Sequence, residues 1–152
     1  MLTKKSPLMA AIFTSLLITT FCHIVRAETP EAETKKAALT ATLQWLGEID
    51  QGDYAKSWQD ASGPFKEAVT EEKWTSVSNS IRKPLGKLLS RKVASQALQE
   101  EIQSRAGMMK GPFVITQFET SFENMKYAIE TVTFKKEEDG VWRSSGYYIK
   151  PR

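Results

Sequence analysis

The spacing of the apolar side chains changes between Pro84 and Gly86, and this change constrains the fold more than any other feature of the sequence. Before Pro84 the apolar residues recur every three or four positions, as Leu39, Leu43 and Leu46 do, which indicates amphipathic helices. After Gly86 they recur at every second position, which indicates strands. Helices followed by strands predict an α+β domain in which the helices pack on one face of an antiparallel sheet.

The segment before Pro84 is predicted to form three helices, and residues of the expected types stand at their ends. Gly52 ends the first helix, Asp53 caps the amino end of the second, and Thr70 caps the third. A Ser-Gly-Pro sequence at 62–64 ends the second helix, and Pro84 ends the third. The predicted helices cover residues 35–50, 54–61 and 70–83.

The segment after Gly86 is predicted to form about four antiparallel strands. Turn signals at 123–125 and 138–140 join the last three strands as hairpins. Residues 95–105 fit either a strand or a short helix, and residues 106–112 are predicted to be a loop. The predicted strands cover residues 88–93, 113–122, 127–136 and 141–149.

Residues 1–27 have the pattern of a secretory signal peptide, with two lysines, an apolar run and small residues at the end. We predict cleavage after Ala27, no membrane span in the mature chain, and a location in the periplasm or outside the cell. An uncleaved inner-membrane anchor is the alternative, because residues 8–25 approach the roughly 18 apolar residues that a span needs. Residues 28–34 are predicted to be a flexible tether, and residues 35–152 a single domain.

Cleavage would leave a mature chain whose formal charges cancel. Lys4, Lys5 and Arg26 are the only charged residues among the first 27, so 18 basic and 18 acidic residues would remain. A nucleic-acid-binding domain normally has a marked excess of basic residues. We therefore predict no nucleic-acid partner.

Cys22 and His23 are the only cysteine and histidine of the chain, and both lie in the predicted signal peptide. A mature chain without them can form no disulfide and has no thiolate or imidazole metal ligand. It also lacks the base of a Ser–His or Cys–His pair. We predict no metal site and no cofactor, and any catalysis would have to use Asp, Glu, Lys, Tyr or Arg.

Five stretches between residues 45 and 149 carry a resemblance to a known family: WLGEIDQGDYAKSWQDAS, FKEAVTEEKW, RKPLGKLLSR, FETSFENMKYAIETVTF and GVWRSSGYYI. In these stretches the chain resembles the small exported bacterial proteins of domain-of-unknown-function family 4019, in the nuclear-transport-factor-2-like, or cystatin-like, superfamily. The resemblance implies a cone-shaped α+β fold whose curved sheet wraps the helices around a pocket. It implies no reaction, and it allows a homodimer that forms through the sheet.

Arg91 and Glu130 are the central candidates for a functional site. Arg91 is predicted to share a strand face with Leu89 and Val93, so its charge points to the concave side of the sheet, where it needs a partner. Glu130 is the acid that we prefer as this partner. The pair would either fix the strand register or, with Arg82, form an anion-binding pocket, because arginine binds carboxylate and phosphate with two donors. A third alternative is that both side chains reach solvent.

Aromatic side chains complete the candidate pocket. The four tryptophans are predicted to lie mainly in the core, with one or two at the mouth of the pocket. Tyr147 and Tyr148 alternate along a strand, so only one of them faces inward. The candidates for the ligand pocket are Arg82, Arg91, Glu130, Trp58, Trp74 and Tyr147, and none of them is assigned a catalytic role.

Two functional hypotheses follow from the sequence. The preferred one is a non-catalytic exported domain that binds a small ligand or a protein partner at the cone opening or on the outer face of the sheet. The alternative is an isomerase- or dehydratase-like enzyme that uses Glu130 or Asp50 as its base. The enzyme requires a cavity beside an inward carboxylate, so a Glu130 that is bound to Arg91 without such a cavity would contradict it.

Overall fold

The structure is a computed structural model that describes residues 29–104 and 107–152. The predicted signal peptide, residues 1–27, lies outside the described residues. Four helices and a short 3-10 turn precede four strands. The elements are α1 (Pro30–Gln51), α2 (Tyr54–Gln59), α3 (Gly63–Ala68), α4 (Glu71–Ile81), the turn Lys83–Leu85, β1 (Leu88–Ser104), β2 (Gly107–Phe122), β3 (Met125–Lys136) and β4 (Trp142–Pro151).

The strands form one antiparallel sheet in the order β1–β2–β3–β4. Alternate side chains of β2 and β3, such as Phe118, Val132 and Phe134, are buried against the helices. Tyr127 and Tyr148 point to the opposite face and are largely exposed. The helices therefore lie on one face of the sheet, which confirms the predicted α+β class. None of the helices described here is long and apolar enough to cross a membrane.

Tryptophans from α1 and α4 form the centre of the core. Trp45 and Trp74 are buried with their ring centroids 6.1 Å apart, and both pack against Tyr147. Their indole N–H groups donate to the backbone carbonyl and the hydroxyl of Ser57, at 2.7 and 2.9 Å. Trp58 is half-buried and donates to the carbonyl of Val69 at 2.7 Å. These three indoles thus have polar partners. The prediction that the tryptophans lie mainly in the core holds for Trp45 and Trp74, whereas Trp58 and Trp142 are partly buried and pack against the core.

The first helix begins at Pro30, so residues 30–34 are helical and not the tether that we predicted. The Thr29 side chain accepts a hydrogen bond from the Ala32 amide, and proline fits the first helical position because it has no N–H to satisfy. Glu31 and Glu33 lie in the first turn, where the helix dipole favours negative charge. The cap, the proline and the acidic first turn are all visible in the sequence. The spacing of the apolar residues alone did not reveal this start of the helix.

A further helix, α3, follows the Ser-Gly-Pro sequence that we expected only to end α2. Ser62 caps α3 by accepting from the Phe65 amide, and Pro64 lies in its first turn. The same segment joins the sheet, because the Ser62 amide donates to the Ser144 carbonyl at 2.8 Å. Ser-Gly-Pro therefore ends one helix and begins the next.

The first hairpin is longer than predicted. Residues 95–104 are strand, and residues 107–112, which we predicted as a loop, belong to β2. Residues 107–110 pair with residues 101–104, and residues 111 and 112 lie at a register shift between Gln99 and Glu101. Glu101 lies opposite Lys110, and such a cross-strand pair of opposite charges favours this register. The glycines and the proline of this stretch resemble a loop signal, but pairing with β1 decides the conformation.

Candidate functional site

Four charged side chains from four elements meet beneath the helices, and we call them the buried ion cluster. Asp50 lies near the end of α1, Arg82 directly after α4, Arg91 on β1 and Glu130 on β3. Glu130 is fully buried, and the side chains of Arg82 and Arg91 are only 4% and 8% exposed. Two positive and two negative charges balance one another, as a buried group of ions requires.

Glu130 has a donor for each of its lone pairs. Its Oε2 accepts from Arg91 Nε at 2.6 Å and from the Thr120 hydroxyl at 2.7 Å. Its Oε1 accepts from Arg91 Nη2 at 3.1 Å and from the Tyr147 hydroxyl at 2.7 Å. A carboxylate has about four lone-pair sites, so the acceptor capacity of Glu130 is filled.

Asp50 connects the two arginines. Its Oδ2 accepts from Arg91 Nη1 at 2.7 Å, and its Oδ1 accepts from Nη2 groups of both Arg91 and Arg82 at 3.0 Å. The Arg91 guanidinium therefore binds one carboxylate through Nη1 and Nη2 and the other through Nε and Nη2. This fork geometry is specific to arginine, and a lysine could not reproduce it.

Arg82 holds the turn that leads into the sheet. Its Nη1 donates to the Gly86 carbonyl at 2.7 Å, and its guanidinium carbon lies 4.3 Å from the centroid of the Phe122 ring. Its Nε is buried without a hydrogen-bond partner. Gly86 has φ of 76°, and a Cβ there would lie 2.6 Å from Glu123 Oε2. Only glycine fits this turn, which places Arg82 over Phe122.

The pKa values in the cluster follow from burial and pairing. Burial alone would raise the pKa of Asp50, but the hydrogen bonds and charges of Arg91 and Arg82 outweigh it and hold the pKa below its usual value. Burial would lower the pKa of Arg91, but Asp50 and Glu130 raise it above its usual value. Burial, followed by the charge of Glu130, raises the pKa of Tyr147. Arg91, Asp50 and Tyr147 therefore keep their ordinary protonation states at neutral pH.

The predicted pairing of Arg91 with Glu130 is confirmed. Arg91 and Val93 share the inner face of β1, as predicted, but Leu89 is 62% exposed. The register shift between Leu88 and Ser90 places Leu88 instead of Leu89 opposite the buried Phe122.

The structure brings together four of the six pocket candidates, because Arg82 and Tyr147 join Arg91 and Glu130. Trp74 packs against Tyr147 beside them, with ring centroids 6.4 Å apart. Trp58 packs against the same aromatic core and against Lys66. Whether these residues bind a ligand stays a prediction.

Sequence reasoning missed the roles of Asp50 and Thr120. Asp50 is predicted only as a candidate base of the alternative enzyme and not as a partner of the arginines, yet it follows the buried Leu46 by four positions and so lies on the inward side of α1. Thr120 lies two residues from both Phe118 and Phe122 on β2, and all three side chains are buried. Both residues could be found from the sequence, because a polar residue that follows the spacing of the buried apolar residues lies on the same inward side of its helix or strand.

Two cavities adjoin the cluster, and Arg82 lines both of them. One is an open cleft of about 400 Å³ that Asp50, Asn79 and Lys83 also line. The other is a small apolar cavity of about 90 Å³ between α4 and β4. Glu130 lies in the wall of neither. No group of acidic, histidine or cysteine side chains in residues 29–104 and 107–152 is arranged to hold a metal ion.

A family model described as a protein of unknown function, DUF4019, matches residues 41–147. Among solved structures, the chain is similar to Aln2 from a Streptomyces species, with 10% sequence identity and a TM-score of 0.47. This similarity covers 83% of the chain and 94% of Aln2. The comparison with curated proteins finds no match.

Proposed function

The chain belongs to the DUF4019 family of proteins of unknown function, and we propose that it is an exported, non-catalytic domain that binds a partner on its surface. The saturated carboxylate of Glu130 is the observation that carries the proposal. A general base must have a free lone pair within hydrogen-bond reach of the proton that it removes. All the acceptor sites of Glu130 are occupied by Arg91, Thr120 and Tyr147.

Asp50 is no better suited to act as a base. Its two oxygens accept three hydrogen bonds from Arg82 and Arg91, and its lowered pKa makes it a weaker base than an ordinary aspartate. Glu130 is therefore unavailable as the base of the enzyme alternative, and Asp50, which keeps one acceptor site beside the open cleft, is a weakened base. The buried ion cluster fixes α1, the end of α4, β1 and β3 relative to one another.

The outer face of the sheet is the surface on which we place the binding of a partner. Tyr127 and Tyr148 are 73% and 62% exposed on this face, and Leu89 on β1 is 62% exposed. Scattered apolar side chains are normal on a protein surface, but exposed tyrosines are enriched where proteins meet a partner. Export, which the pattern of residues 1–27 predicts, would bring this face into contact with periplasmic or membrane components.

The test is to incubate the protein, as isolated from cells that express the full chain, with fractionated periplasmic and membrane extract. We expect a saturable complex with a component whose mass and chromatographic retention are the same before and after incubation. Tyr127→Ser with Tyr148→Ser should weaken this complex, whereas Leu43→Ser, at a 48% exposed apolar residue on α1, should not. Conversion of a component to a product that differs in mass or in chromatographic retention would contradict the proposal.

A further inference from the structure

Charge is distributed unevenly between the two halves of the fold. Residues 30–81, which contain the helices, have nine acidic and five basic side chains, whereas residues 82–152 have eight acidic and thirteen basic. A chain whose charges cancel after residue 27 is therefore negative on its helical side and positive on its sheet side.

One end of the outer sheet face concentrates this positive charge, and we call it the outer groove. It has a volume of about 440 Å³ and lies across β1, β2 and β3. Lys92, Lys126 and Arg152 line it, and Glu119 is the acid that lines it with them. Glu119 lies opposite Lys92 in the ladder but accepts a hydrogen bond from Arg152. Within residues 29–104 and 107–152, Lys92 and Lys126 are exposed and have no ion pair.

Apolar side chains stand among these cations. Leu89 and Tyr127 line the outer groove, and Tyr127 is the most exposed large apolar residue on the described surface, at 73%. Tyr148 lies on the same face of the sheet, and Lys150 lies two residues further along β4, opposite Ile129. The face therefore combines lysines that lack acidic partners with protruding tyrosines.

We propose that the outer groove docks on the surface of a bilayer that contains anionic phospholipids; this inference rests on the proposed function. Phosphate groups would accept from Lys92, Lys126 and Arg152, while Leu89 and Tyr127 enter the boundary between headgroups and acyl chains. Tyrosine is enriched at this boundary because its ring is apolar and its hydroxyl is polar. The negative leaflet attracts nearby lysine and arginine side chains.

The charge distribution also favours a membrane as the partner. A negative surface attracts the positive sheet and repels the negative helices, so it orients the domain with the outer groove towards the lipid. A groove whose unpaired lysines are long and flexible can follow a mobile headgroup layer. An acidic protein that binds the same face is the competing outcome of the test.

The experiment is co-sedimentation of the isolated protein with vesicles of phosphatidylglycerol and phosphatidylcholine in equal parts, and with vesicles of phosphatidylcholine alone. We expect affinity for the anionic vesicles to be at least about tenfold higher and to fall as salt is added. Lys92→Glu with Lys126→Glu should lower this affinity by at least about tenfold. Lys73→Glu with Lys83→Glu makes the same change of charge at exposed lysines outside the outer groove. This control variant should keep the affinity of the wild type for the anionic vesicles.

A reporter variant keeps the test valid if the charge reversals disturb folding. Tyr127→Trp preserves the charges, and its emission should shift to the blue with anionic vesicles and be quenched by brominated acyl chains. Equal binding to both kinds of vesicle, equal losses in the two double variants, or an unchanged emission of the Tyr127→Trp variant would overturn the inference. A soluble partner that needs Tyr127 and Tyr148, without vesicle binding, would overturn it and leave the proposed function standing.

Discussion

Glu130 is a charged side chain with no exposed surface, and the fold tolerates it because donors surround its carboxylate. Moving a carboxylate and a guanidinium out of water costs several kcal/mol for each ion, and good geometry in the buried pair offsets this cost. Arg91 cannot lose its proton, so it depends on Glu130 and Asp50 for its counter-charges. The cluster is therefore sensitive to the loss of any one of its members.

Glu130→Gln is expected to lower the free energy of unfolding by about 3–5 kcal/mol, because it leaves the charge of Arg91 poorly compensated in the interior. Urea denaturation at neutral pH measures this difference. Tyr147→Phe is the matched control, since it removes one donor from the same carboxylate and should cost less, about 1.5–3 kcal/mol.

The double variant Arg91→Met with Glu130→Leu distinguishes pairing from packing. Removing both charges together leaves Asp50 paired with Arg82, so this variant should be more stable than Glu130→Gln. If the double variant is less stable than both Arg91→Met and Glu130→Leu, the pair stabilises the fold by more than the compensation of one charge by the other.

At the scale of elements, an ion triad connects α2 to α1. Lys56 of α2 donates to Glu48 of α1 at 2.8 Å and also to Asp60 at the end of α2. The second oxygen of Glu48 is buried without a donor. Burial, followed by the nearby Asp60 carboxylate, raises the pKa of Glu48 despite the opposing effect of Lys56. The junction of the two helices thus favours a protonated Glu48.

The raised pKa predicts how stability depends on pH. The contribution of Glu48 to stability is complete below its ordinary pKa of 4.5 and is lost as the pH rises through the higher pKa of the folded state. The side chain of Glu48→Gln does not titrate, so the free energy of unfolding of this variant should rise relative to the wild type as the pH increases above 4.5. Urea denaturation across this range provides the measurement. Glu67→Gln, which removes an exposed acid of α3 outside the triad, is the matched control. Parallel curves for Glu48→Gln and the wild type would refute the prediction.

Local signals in the sequence predicted much of the element order and part of the site. The change of period at Pro84 separated helices from strands. Alternation placed Arg91 and Glu130 on the inner side of the sheet and left either Tyr147 or Tyr148 to face inward with them. The register shift beside Leu89 could not be predicted, because it depends on how β1 pairs with β2. The contact between Asp50 and the arginines joins residues that lie 32 and 41 positions apart, and only the packing of α1 on the sheet determines it.

At the scale of the whole molecule, the segregation of charge and the predicted processing belong together. Residues 1–27 contribute three basic side chains and no acid, so their removal makes the chain formally neutral. At long range, the positive charge of the sheet face is then cancelled by the negative charge of the rest of the molecule. The sheet face can therefore attract an anionic surface only at short range. Binding through the outer groove should therefore be short-ranged and sensitive to salt.

The last prediction concerns that processing. If cleavage follows Ala27, the isolated protein begins at Glu28 and contains no thiol, because Cys22 is the only cysteine. Intact mass and thiol titration of the denatured protein measure both properties. Ala27→Asp should block cleavage, since the peptidase requires a small side chain at that position, whereas Ala32→Asp in the first turns of α1 should not. A wild-type protein that keeps its thiol and the mass of the full chain would support the membrane anchor instead, and the exclusion of thiolate and imidazole chemistry would no longer hold for the working protein.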